Sequence, residues 1–221
     1  VLEYFQANKS YGTLIIRDSN IFIVSTQNYS DVHSGHFSYT LASYLNASYI
    51  SNEFFSSGAL LEEKQVNFSK NQFYTTNQTS CSELEEFRSD LAKHSSKTNL
   101  VIYLSTAGEK RSDIHVLFGG LKGQSNFNFP ERTFKDSNKL EIFFSQLSNC
   151  AKKDFDYSVV SHEELASEKP NPEKIASFIS KSLNKDSISL FINMNIHRYA
   201  DNAKYYKTIS LIGDKIKDFL V

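Results

Sequence analysis

Short runs of β-branched and aromatic residues alternate along this chain with longer segments whose apolar residues recur every three or four positions. No other feature of the sequence constrains the fold as much. Runs of the first kind suit strands, and segments of the second kind suit amphipathic helices. Strands read at 13–16, 21–24, 48–53, 99–105, 114–118, 157–161 and 187–196. Helical spacing is carried by Phe37, Leu41, Tyr44 and Leu45; by Leu84, Phe87 and Leu91; and by Leu140, Phe143, Phe144 and Leu147. It returns in Ile175, Phe178, Ile179 and Leu183, and in Tyr205, Ile209, Ile212, Ile216 and Phe219.

Such alternation implies an α/β fold, a single three-layer domain over residues 1–221 with a mixed, partly parallel sheet between helices. Segment 187–196 holds Ile188, Leu190, Phe191, Ile192 and Met194, which leave neither face polar, so it is expected at the centre of the sheet. Arg17-Asp18-Ser19-Asn20 has the length of a hairpin connection between the first two strands. Residues 25–36 read as a polar loop leading into the first helix, and 54–79 as a long polar excursion. Ser80-x-x-Glu83 is a capping-box pattern for a helix at 82–94, and Asn171-Pro172 sets a capping residue before a Pro at a first helical position.

Composition removes several functions. With 24 Lys+Arg against 25 Asp+Glu and a net charge of -1, the chain has no electrostatic footprint for nucleic acid or an anionic membrane. Apolar runs such as 100–104 and 188–192 fall far short of the roughly 20 residues that span a bilayer. A soluble protein is expected, cytoplasmic or secreted, with its oligomeric state open. The eight Gly form no G-x-G-x-x-G or Walker pattern, and there is no G-x-S-x-G elbow. Cys81 and Cys150 are too few for a disulfide framework and read as plain thiols. Sequons at Asn8, Asn28, Asn46, Asn67 and Asn77 would suit a secreted interaction domain with a Tyr- and Asn-rich surface.

Histidines offer the one metal-binding alternative. Asp31, His33 and His36 lie in the loop after the second strand and His115 beside a later one, and together they would supply N and O donors to zinc. The competing reading is exposed or helix-capping side chains. His162-Glu163-Glu164 lacks the second His of a metalloprotease motif. Asn195 lies near the end of the long final strand and Arg198 follows it, where a guanidinium offers two parallel donors to a carboxylate; a surface salt bridge is the plain alternative.

The order of these elements resembles the N-formylglutamate amidohydrolase family, relatives of the zinc carboxypeptidases, over nearly the whole chain. In that family a β-hairpin ends in a Pro-His-x-Gly loop and a helix; the matching stretch here is Ile21-Phe22-Ile23-Val24-Ser25-Thr26-Gln27-Asn28, then the helix through Leu41-Ala42. A later strand ending in Asp-x-His-Gly is matched by Val101-Ile102-Tyr103-Leu104-Ser105-Thr106. The family's final Gln-x-Glu-Ile-Asn strand is matched by Phe191-Ile192-Asn193-Met194-Asn195-Ile196-His197-Arg198. The resemblance thus implies Thr26 or Gln27 in place of the first zinc-binding His, Ser105 in place of the later His, and Asn193 in place of the catalytic Glu. A slipped register would instead set His33-Ser-Gly35 on the His-x-Gly loop.

A hydrolytic zinc needs about three N/O/S ligands and a carboxylate to take the proton from its water. The leading expectation is therefore a catalytically degenerate protein without a cofactor, acting as a binding or regulatory module. Its partner would be a carboxylate-bearing small molecule or peptide, bound where loops 25–36 and 105–111 meet residues 193–198. The alternatives are an active zinc amidohydrolase or peptidase using Asp31, His33, His36 and His115, and the secreted interaction domain.

Overall fold

In the computed structural model, residues 4–26, 28, 31–54, 82–107, 112–117, 137–161, 186–199 and 201–220 are described. Their strands are β1 (Tyr4–Lys9), β2 (Gly12–Arg17), β3 (Ile21–Ser25), β4 (Ser48–Asn52), β5 (Leu100–Ala107), β6 (Ile114–Leu117), β7 (Val159–Ser161) and β8 (Asp186–Asn193). All join one sheet in the order β1-β2-β4-β3-β5-β8-β6-β7. The middle four, β4, β3, β5 and β8, run parallel. β1 and β2 add antiparallel on one side, and on the other β6 returns antiparallel to β8 and pairs parallel with β7. The helices are α1 (Val32–Tyr44), α2 (Ser82–Ser95), α3 (Ser137–Phe155), α4 (Met194–Tyr199) and α5 (Asn202–Leu220).

Side chains alternate between the two sheet faces, and both faces are buried. Ile21, Ile23, Leu100, Ile102, Leu104, Ile188, Leu190 and Ile192 form one core with Phe37 and Leu41 of α1, Phe143 and Leu147 of α3, and Ile209, Ile212 and Ile216 of α5. Phe22, Val24, Val101 and Tyr103 point the other way and are equally buried. That is why these strands read as near-continuous apolar runs. Phe87 of α2 packs edge-on to Tyr11 at 5.1 Å, and Tyr11 donates to Asp90 at 2.8 Å, so α2 grips the β1–β2 turn.

Segment 187–196 does lie inside the sheet, between β5 and β6, with Leu190 and Ile192 fully buried. Its strand ends at Asn193, however, and 194–196 open α4. The expected hairpin across residues 17–20 does not form. β4 is seated between β2 and β3, with Tyr49 opposite both Ile15 and Ile23. The short connection passes over the start of β4, where the Arg17 guanidinium donates to the Ala47 carbonyl and Ser48 Oγ accepts from the Arg17 amide. β2 instead makes its hairpin with β1, a strand the apolar pattern did not reveal. The polar loop after β3 is also shorter than expected: α1 starts at Val32, so His33 and His36 are helical. The polar excursion from residue 55, Ser80, Cys81 and the helix expected after Asn171 lie outside the described residues.

Candidate functional site

After β3 the chain passes through α1 to β4 on one side, whereas β5 lies on the other side of β3. The connections therefore diverge between β3 and β5, and the crevice beyond their carboxyl ends is the default ligand site of an open α/β sheet. Thr26 follows β3 at this point, and Ser105 and Thr106 lie just before Ala107, which ends β5. Ser25 pairs level with Leu104, which places Thr26 beside Ser105. Leu104 points into the α1 core, so Ser105 projects from the opposite face. Asn193 shares that face at the end of β8, in register with Ala107. Thr26, Ser105 and Asn193 thus stand on three adjacent strands, each no more than 1% exposed.

Two of the three are held in place. Thr26 Oγ1 shares a hydrogen bond of 3.0 Å with the Tyr103 hydroxyl, and its carbonyl accepts from Asn52 Nδ2 at 3.0 Å. Asn193 caps α4: its Oδ1 accepts from the Asn195 amide at 2.9 Å, and its Nδ2 donates to the Ser112 carbonyl at 3.4 Å. Ser105 Oγ has no hydrogen-bond partner among the described residues. A buried polar atom in that condition calls for an explanation.

On the α1 side, Asp31 is the N-cap of α1, with Oδ1 accepting from the amides of His33 and Ser34 and Oδ2 from Thr106 Oγ1 at 3.2 Å. It ties the helix to the end of β5. Behind it Ser25 donates to Asn28, and Asn28 Nδ2 donates to the Tyr49 hydroxyl at 2.7 Å. Burial pushes the Tyr49 phenol up to about 12, so it stays neutral at any ordinary pH.

The four residues of the alternative zinc set do not converge. His33 is 60% exposed, with Nδ1 3.9 Å from Asp31. His36 Nδ1 instead hydrogen-bonds the Tyr205 hydroxyl at 2.8 Å. His115 is buried on β6, where its Nε2 donates to the Ser112 carbonyl at 3.0 Å, since a carbonyl oxygen can only accept. No group of three His, Cys, Asp or Glu able to hold a metal ion occurs among the described residues. Thr26, Ser105 and Asn193 do not fit a hydrolytic zinc either: two are neutral hydroxyls and the third is an amide bonded at both ends. Gln27 and the side chain of Arg198 lie outside the described residues; Arg198 falls within α4, and Asn195 is exposed there.

Residue types hid several members of this site. Tyr103 sits in an apolar run and reads as core, although its hydroxyl bonds Thr26; a buried Tyr usually finds such a partner. Asp31 followed by a helix start is a capping signal masked by the polar first turn.

No family model matches the sequence. No characterised protein matches it significantly in sequence. Solved structures do match in fold. YndL in a zinc-free form superposes with a TM-score of 0.51 at 12% identity, covering 99% of this chain and 91% of that one. Thrombin activatable fibrinolysis inhibitor gives 0.53 at 11%, covering 98% and 71%. Cell shape determinant Csd4 from Helicobacter pylori, a D,L-carboxypeptidase, gives 0.52 at 11%, covering all of this chain and 55% of that one. At these identities the likeness speaks for the fold alone, a zinc-peptidase-like α/β fold.

Proposed function

We propose that this chain is a catalytically degenerate member of the zinc-peptidase-like fold, of amidohydrolase type, that binds a peptide or another carboxylate-bearing ligand at the β3–β5 crevice without cleaving it. The observation that carries this reading is the trio Thr26, Ser105 and Asn193 on one face of three adjacent strands. An amide whose Nδ2 donates and whose Oδ1 accepts within the protein has no basic lone pair for a water proton, and the two hydroxyls are poor zinc donors. The crevice itself comes from topology, so it persists when these side chains change. Csd4 has been solved with a bound tripeptide, which favours a peptide-like ligand for this fold. Arg198, in the helix after β8, is the candidate partner for a ligand carboxylate at the rim. Incubating the untagged chain with zinc and N-acyl amino acids or short peptides tests the reading. Binding without turnover supports it; zinc-dependent cleavage abolished by Ser105→Ala overturns it.

A further inference from the structure

Resting on that reading of the crevice as a binding site, we infer that the ligand group reaching its floor is a small uncharged terminus, a primary amide or hydroxyl, held by Ser105. Ser105 is 1% exposed, and its hydroxyl has no partner among the described residues. On the same face, Thr26 is bonded to Tyr103, and Asn193 to Asn195 and Ser112. Ser105 is thus the group there that an incoming donor or acceptor would satisfy, and satisfying a buried orphan is favourable.

Charge decides the class of ligand. Asn52, Thr26, Tyr103, Ser105, His115 and Asn193 are buried polar side chains described on β4, β3, β5, β8 and β6 of this face, and none is a Lys or Arg; Lys9, on the same face at β1, is already paired with Asp90 and Glu86. An anion moved to this depth would lose its hydration with no unpaired Lys or Arg beside it among the described residues. Asp31, capping α1 on the other side of the β3–β5 junction, adds a negative charge that disfavours an anion further. A primary amide has the shape of a carboxylate and carries no such penalty. Near-complete burial of Ser105 also limits size: a terminal group fits this description, and a continuing chain does not. Any carboxylate of the same ligand would then lie at the rim, toward α4.

The test uses two isosteric probes, acetyl-dialanine amide and acetyl-dialanine free acid, titrated into the full chain while backbone amide resonances are followed. The amide probe should shift Thr26, Ser105 and Thr106 saturably and more tightly than the acid. Ser105→Ala should weaken it about fivefold, the size of one hydrogen bond, without lowering the unfolding midpoint. The inference is overturned if the acid binds as tightly as the amide, or if Ser105→Ala leaves amide binding unchanged. Acid binding lost in Arg198→Ala but kept in Ser105→Ala would sink the inference and leave the binding reading standing. Absence of crevice shifts with both probes would sink both.

Discussion

Buried hydroxyls in this protein differ in what they do for stability, and the difference is measurable one residue at a time. The Tyr103 hydroxyl and Thr26 Oγ1 satisfy each other, so Tyr103→Phe leaves a buried threonine hydroxyl short of a partner and should cost about 1–3 kcal/mol. Ser105→Ala removes an atom that bonds nothing among the described residues and should cost close to nothing. Urea unfolding at constant slope compares the two, and equal losses would show that Ser105 is bonded after all. Ionisable side chains add a pH dependence at the β1–β2 turn. Hydrogen bonding by Ser10, with Lys9 alongside, holds Glu86 below the usual carboxylate range. A depressed carboxyl stabilises above its unfolded value, and that stability is lost as pH falls through its folded value. Lys9, bonded first to Asp90 and then to Glu86, is shifted upward, so its contribution is present below its unfolded value and lost as pH rises through the folded one. Because Glu86 is well exposed, the effect is small. Glu86→Gln should flatten the acid side of a plot of unfolding midpoint against pH and weaken, without abolishing, the loss on the alkaline side, because Asp90 still holds Lys9.

Among whole elements, β8 and the β2–β4 pair make the sharpest claims. Ile192 is fully buried on an interior strand, and Ile192→Ala should destabilise by about 2–5 kcal/mol, read by chemical denaturation. A loss under 1 kcal/mol, as at a collapsible edge, would contradict the sheet order. Gly12 opens β2 with φ of +145°, and a Cβ there would run into the Ser51 carbonyl. Gly12→Ala should therefore cost about 1–3 kcal/mol, since the obstacle is backbone. Periodicity locates these strands and helices well because each buried face is built of large aliphatic residues. It fails where burial is carried by small polar ones. The start of α1 buries Ser34, Gly35 and Ser38, and a Cβ on Gly35 would sit 2.8 Å from the Asn28 side chain, so close packing there leaves no hydropathy signal. It also fails for strand order. Four residues suffice for a hairpin, and only the later β4, wedged between β2 and β3, prevents one.

For the whole molecule, the α/β class and the interior place of β8 were legible because local patterns and the global fold agree. The candidate site was legible only as strand ends. Thr26, Ser105 and Asn193 are candidates only through the family resemblance, and their partners Tyr103, Asn52 and Ser112 depend on pairings between distant segments that no local pattern encodes. The alternative zinc set fails on the same ground. Asp31 and His33 are neighbours in sequence, yet helix geometry turns His33 outward, while His36 and His115 are bonded to other elements. What we propose is that Thr26, Ser105 and Asn193 hold no catalytic metal. Equilibrium zinc binding to the untagged chain, followed by elemental analysis after dialysis, tests it most directly. The account predicts no stoichiometric zinc at Thr26, Ser105 and Asn193, and no change in zinc content on Ser105→Ala or Asn193→Ala. One tightly held zinc per chain, lost in either variant, would contradict it, and zinc lost instead in His33→Ala or His115→Ala would establish the relocated site.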